Sequence, residues 1–170
     1  MHRTNTSALA VALLVASLTS IACAGDGTVE DFCDLPGAAP TTDEVSDGRG
    51  RATKDGASFD EEGSYSTGSM SVTLGLLDMT VDRTEDGDRV RDLFDEGSFP
   101  ICVVVRDRSE TSGQVNLVEG GYVTDANNTG TVSLISLEDG VLAGRFAFTL
   151  ANTAGDQTTF EAGAFRVESR

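Results

Sequence analysis

The chain is short of the residues that most catalytic sites are built from. It has one histidine, no tryptophan, two tyrosines, three prolines and three cysteines in 170 residues. The histidine is His2, inside a stretch that reads as a cleavable leader, so the mature chain is expected to have none. Without histidine there is no Ser-His-Asp or Cys-His nucleophile and no histidine-containing zinc site. With aromatic hydroxyls only at Tyr65 and Tyr122 and no tryptophan, flat platforms for sugars are poorly supplied. Cations are scarce too: 12 Lys and Arg face 28 Asp and Glu, a formal charge of −16. Loss of Arg3 with the leader leaves 11 cations and a charge of −17. Such a chain is repelled by nucleic acid and by anionic membrane surfaces, so a nucleic-acid partner is not expected.

No apolar run reaches the roughly 20 residues that a membrane-spanning helix needs. The run at residues 8–16 follows a short, weakly positive Met1-His2-Arg3 start and has the length of a signal-peptide core. Small residues then lead through Leu18-Thr19-Ser20-Ile21-Ala22 to Cys23. This stretch resembles the lipobox of bacterial lipoproteins. The resemblance implies cleavage before Cys23 and a thioether-linked diacylglycerol on its sulfur. Several acyl chains anchor stably where one binds reversibly, because each buried CH₂ contributes about 0.8 kcal/mol. The alternative is an ordinary signal peptide cut after Ala22 or Ala24.

Three cysteines are an odd number. If lipid takes Cys23, then Cys33 and Cys102 remain as an even pair in an oxidising compartment. A bridge between them closes a loop of about 70 residues, worth roughly 4 kcal/mol in the chain-entropy model. The alternative is two separate thiols, with Cys102 buried in a strand. Residues 23–50 are rich in Gly, Pro, Thr, Ser and Asp and read as a flexible tether. Only ten residues separate Cys23 from Cys33, a reach of at most about 35 Å.

From residue 51 the pattern is one of short runs between turn residues, with no sustained 3.6-residue apolar period. Asp55-Gly56 marks a hairpin. Residues 69–81 read as one strand whose apolar parity switches at Leu76-Leu77, a bulge or a bend. Residues 82–97 read as charged and irregular, with a short strand or helical turn over 90–94. Residues 99–105 read as a central strand buried on both faces. Residues 114–124 form a strand weakened by Gly120-Gly121. The last 42 residues give a three-stranded antiparallel meander: 130–137, 141–150 and 158–167, with turns at Glu138-Asp139-Gly140 and Ala154-Gly155-Asp156 and a bulge at Gly163. The expected organisation is a signal peptide at 1–22, a lipidated tether at 23–50 and an all-β domain at 51–170. That domain is expected to be an antiparallel β-sandwich or irregular barrel of about eight to ten short strands.

Two pieces of this pattern resemble bacterial lipoproteins of the DUF6252 type. One is Ala52-Thr53-Lys54-Asp55-Gly56-Ala57-Ser58-Phe59. The other runs from Gly130-Thr131-Val132-Ser133-Leu134 through Gly144-Arg145-Phe146-Ala147-Phe148 to Gly163-Ala164-Phe165. The resemblance implies an all-β domain behind a lipid anchor. It transfers no catalytic residue.

Other constellations have bland readings. Asp82-Arg83-Thr84-Glu85-Asp86-Gly87-Asp88 offers hard oxygens that could hold Ca²⁺, but it lacks EF-hand spacing and reads as a solvated loop. Asp60-Glu61-Glu62, and Asp31 with Asp34, read the same way. Asn127-Asn128-Thr129 is a sequon by letter and a turn by context. Among so many acids some pair suited to glycoside hydrolysis always exists, so that signal says nothing without geometry. The sequence thus points to a non-enzymatic protein lipidated at Cys23, with no cofactor or metal. It is expected in the bacterial cell envelope, facing the periplasm or the exterior, with the membrane and an envelope protein or glycan as partners. The alternatives are a carboxylate-based secreted hydrolase and a barrel carrier of small apolar ligands.

Overall fold

The computed structural model describes residues 42–81, 87–106 and 113–170. Its strands are β1 (Arg49–Lys54), β2 (Ala57–Ser66), β3 (Ser71–Leu74), β4 (Leu77–Thr80), β5 (Ile101–Val105), β6 (Gln114–Leu117), β7 (Tyr122–Val123), β8 (Gly130–Glu138), β9 (Val141–Ala151) and β10 (Gln157–Ser169), with one helix, α1 (Gly87–Asp95), between β4 and β5. All ten strands share one sheet, and its pairings run round on themselves. Antiparallel ladders join β1 to β2, β2 to β3, β3 to β4 and β4 to β6. Others join β5 to β8, β8 to β9, β9 to β10 and β10 back to β1. The ring closes between β5 and β6 through a single parallel bridge, Val105 to Gly113. Of the two architectures that the sequence leaves open, this is the irregular barrel. A ring removes most of the free edge that an open sheet would present.

The C-terminal meander forms as its alternation dictates. Along β9, Leu142, Phe146, Phe148 and Leu150 are buried, while Arg145 and Thr149 between them are only partly so. Asp55-Gly56 and Asp139-Gly140 have positive φ at both positions, 49° and 80° and then 51° and 80°. That is the geometry that suits two-residue hairpins and that Asp-Gly supplies. The parity break in the last strand is a bulge between Phe160 and Gly163. It lets Phe160, Phe165 and Val167 all point inward, each 0 % exposed.

The core is aromatic at this side. Phe160 lies 5.2 Å from Phe59 and 5.3 Å from Phe148 by ring centroids, and Phe146 stacks on Phe148 at 5.3 Å. Burying each such ring contributes up to about 3 kcal/mol. The cavity lined by Tyr65, Met70, Val72, Phe94, Leu134 and Leu142 holds only ≈ 10 Å³, at most the room of one water.

Five expectations need correction. Residues 69–81 are a hairpin, β3 and β4, turning at Gly75-Leu76 with Gly75 at φ +57°. The parity switch marks that turn, which returns Leu77 and Met79 to the core. Within 82–97 the helical alternative over 90–94 is the one that forms, lengthened to α1, where Val90 and Phe94 share one buried face at the i, i+4 spacing. β5 alternates instead of being buried on both faces: Ile101, Val103 and Val105 point inward, while Cys102 and Val104 are half-buried on the outer side. Residues 114–124 hold a second small hairpin, β6 to β7, with Gly120-Gly121 in its loop. The folded body also reaches back into the expected tether. Val45 is 3 % exposed, the turn Thr42–Glu44 packs on β9 and β10, and β1 begins at Arg49.

Candidate functional site

Strand register places one polar row across the outer face of four neighbouring strands. Ser64 on β2 stands opposite Thr73 on β3, Thr73 opposite Asp78 on β4, and Asp78 opposite Asn116 on β6. Neighbours in the row are separated by about 4.8 Å, the spacing of paired strands. Two atoms in it, Ser64 Oγ and Asp78 Oδ1, are buried with no hydrogen-bond partner. Burial pushes the Asp78 carboxyl above its ordinary value, and the Arg170 guanidinium pulls it back in part. Beside the row, Glu62, Gly63, Ser64, Gly75 and Arg170 line an open depression of ≈ 260 Å³. Chemically the row offers a desolvated carboxyl, hydroxyls, an amide and a cation. It can hold a proton near Asp78 or accept hydrogen bonds from a polar ligand.

A second depression, ≈ 510 Å³, lies over the β10 bulge and is lined by Thr129, Ala147, Phe148, Thr149, Thr159, Phe160, Glu161 and Ala162. The bulge leaves Ala147 without a paired residue on β10 and so opens the groove. Thr149 and Thr159 hydroxyls share a hydrogen bond of 3.2 Å across its wall. Hydroxyls beside short apolar side chains and one carboxylate suit a hydroxyl-bearing or amide-bearing ligand.

The residues singled out from sequence fall elsewhere. Cys23 and Cys33 lie outside the described residues, as do Asp31, Asp34 and most of the acidic stretch 82–88. Cys102 is disulfide-bonded, and it is the one cysteine among the described residues. Its sulfur also sits 3.3 Å from Ser133 Oγ on β8. Asp60 is a structural acid: it binds Arg49 Nε at 2.6 Å and Arg51 Nε at 3.0 Å, and the Arg49 hydrogen bond holds its carboxyl below the usual range. Asn127-Asn128 is the expected turn, closed by Asp125 Oδ1, which accepts from both backbone N–H groups at 2.8 Å. The side-chain amide of Asn128 adds to these bonds and lowers the Asp125 pKa most. Neither the Asp78 row nor the bulge groove was visible in sequence. The only local sign is an Asp set between two buried apolar residues, Leu77 and Met79.

Among the described residues no helix is long and apolar enough to cross a membrane, and no group of three or more His, Cys, Asp or Glu is placed to hold a metal ion. No family model, curated protein or solved structure matches the chain.

Proposed function

We propose that the chain is a lipid-anchored protein of the bacterial cell envelope whose β-barrel binds or braces a partner and catalyses nothing. The observation that carries this reading is the N-terminal stretch: Arg3, the apolar run at 8–16, and Ile21-Ala22-Cys23. Lipid on Cys23 leaves Cys33 as the partner of Cys102, in keeping with an oxidising compartment. The barrel supports an outward-facing role. Among the described residues the cavity between Tyr65, Phe94 and Leu142 holds only ≈ 10 Å³, which weighs against a carrier of apolar ligands, whereas the depressions open on the outer surface. A carboxylate hydrolase needs a second acid facing the first; the cross-strand neighbours of Asp78 are Thr73 and Asn116. The partner is an envelope protein or glycan that takes hydrogen bonds from the bulge groove or the Asp78 row.

The deciding experiment is the intact mass of protein extracted from membranes, with membrane fractionation of Cys23→Ala alongside. A mass beginning at Cys23 with added acyl chains, and release of the variant, support the reading. A soluble wild-type protein without acyl chains overturns it.

A further inference from the structure

The row through Asp78 has a companion one step along the strands. The ladder that pairs Leu77 with Leu117 continues past the ends of β4 and β6, where the Val118 N–H donates to the Leu76 carbonyl oxygen at 3.0 Å. On the other flank the Gly75 N–H donates to the Glu62 carbonyl oxygen at 2.8 Å. A second row therefore crosses the same outer face: Glu62, Gly75, Leu76 and Val118. It lies about 7 Å from the Asp78 row, two residues along each strand. Leu76 is 54 % exposed and Val118 70 %, and they are the exposed large apolar side chains among the described residues.

An exposed apolar residue standing alone needs no explanation, but these two are neighbours and adjoin the opposite anomaly. Ser64 Oγ and Asp78 Oδ1, on the adjacent row, are buried with no hydrogen-bond partner and are held so at a cost. Acids surround the apolar pair. Glu119 follows Val118 and is exposed. The Glu61 carboxylate stands beside Gly75, where a Cβ would meet its Oε2 at 2.9 Å. Glu62 comes only within 4.0 Å of Arg49, and its side chain is 90 % exposed. Against Glu61, Glu62, Asp78 and Glu119 stands Arg170, which lines the depression beside Ser64. The complementary surface is therefore basic. An apolar centre within a polar rim is the anatomy of a protein contact. A saccharide brings no apolar side chain to cover Leu76 and Val118, and an anionic lipid surface is repelled. Four strands make the face about 14 Å wide by 7 Å deep. Two folded domains assembling stably bury roughly 800 Å² each, so this face fits a short segment.

We infer that the outer face of β2, β3, β4 and β6 docks a short basic segment of a partner protein, with an apolar side chain of that segment on Leu76 and Val118 and a Lys or Arg against Glu61, Glu62 and Glu119. The inference rests on the reading of the barrel as a binding domain. It chooses the protein partner over the glycan, and this face over the bulge groove. A cation docked here also favours the ionised form of Asp78, which burial disfavours.

Photocrosslinking in cells that make the full chain tests it. The photoreactive residue p-benzoylphenylalanine replaces Arg170 at the rim of the face or, as a control, Thr129 in the bulge groove, and the contacting peptide is read by mass spectrometry. Position 170 is expected to give a protein adduct whose contact peptide carries Lys or Arg beside an apolar residue, and position 129 none. Leu76→Ser with Val118→Ser should lower the adduct at least about tenfold, and raising the salt should lower it too. If that pair of substitutions does not fold, Glu61→Gln with Glu62→Gln, which leaves the apolar contact in place, decides by the same fall. No adduct at 170, an adduct to lipid, glycan or a second copy, a contact peptide without Lys or Arg, or an adduct that both pairs leave unchanged overturns the inference. The intact mass of the same sample separates it from the anchored reading. An acylated chain without the adduct overturns the docking face and leaves the anchor standing, whereas an unacylated chain with the adduct overturns the anchor and leaves the docking face standing.

Discussion

Asp55 joins the first hairpin to the last strand, and its charge can be removed without removing its shape. The carboxylate accepts from Thr158 Oγ1 at 2.6 Å and from the Thr159 backbone N–H at 2.7 Å, across more than 100 residues of chain. The Thr158 hydroxyl bond, then the Thr159 N–H, holds its pKa below the ordinary 3.8. Hydrogen bonds to a charged group contribute about 1.5–3 kcal/mol each when protected. Asp55 is exposed, so water competes and the net value falls to about 1 kcal/mol. Asn tolerates the positive φ of 49° at this position and keeps one acceptor. Asp55→Asn is therefore expected to lose about 1 kcal/mol at pH 7. Because the folded pKa is depressed, that stabilisation is full above the unfolded pKa and disappears as pH falls through the folded one. The gap between wild type and Asp55→Asn in urea unfolding should accordingly close as pH falls through the folded pKa, below 3.8. Asp55→Ala should lose about 1 kcal/mol more at every pH, for the backbone alone. An Asn gap that stays undiminished across an acid titration to the lowest pH at which the fold survives would refute the assignment to charge.

Other substitutions probe other parts of the fold. Phe160→Ala removes a ring that is 0 % exposed and touches three other rings, so unfolding free energy should drop by about 3–5 kcal/mol; a loss near 1 would mean that the aromatic cluster is not the core. Gly144→Ala sets a Cβ 2.3 Å from Phe165 Cζ and 2.5 Å from the Ser133 carbonyl oxygen, and a loss of about 1–3 kcal/mol should follow, read as a fall in Tm. Ala162 occupies the bulge at φ +50°; Ala162→Gly should raise stability by up to about 1 kcal/mol, and a drop would show that its methyl packs. Asp78→Asn should raise the Tm at neutral pH. The folded pKa of Asp78 is raised, so ionisation costs stability as pH climbs from the unfolded pKa through the folded one, and the gain should vanish in acid. If the same variant also weakens partner capture, Asp78 is kept at a cost to stability for binding.

Local patterns were enough to read the meander, because the Asp139-Gly140 turn, the Ala154-Gly155-Asp156 turn and the alternation from Arg145 to Leu150 fix strands without help from distant residues. The bulge at Gly163 was legible for the same reason: Phe160 and Phe165 cannot both be core without it. The β3–β4 hairpin was not, since a two-residue turn at Gly75-Leu76 carries the same parity shift as a bulge. Helix α1 showed only as one of two alternatives over 90–94 because it is brief, nine residues with two buried anchors. The Asp78 row lay out of reach altogether. It is assembled from four strands, and register between distant strands is set by the closed ring, which no local window contains.

The charge distribution follows from that same ring. Of the 12 cations in the chain, Arg49, Arg51, Arg145 and Arg166 fall on adjacent outer positions of β1, β9 and β10. Arg49, Arg51 and Arg166 are met by Asp60, Glu62 and Asp47. Arg145 Nε is buried with no hydrogen-bond partner. On the proposed reading, a lipid at Cys23 and a Cys33–Cys102 bridge hold Cys102 within about 35 Å of the bilayer. A body of such net negative charge is pushed away from anionic headgroups. That repulsion is screened over a Debye length of about 8 Å at physiological salt, whereas a lipid and a disulfide hold independently of salt. Hence raising the ionic strength should let the barrel sit nearer the membrane without releasing it.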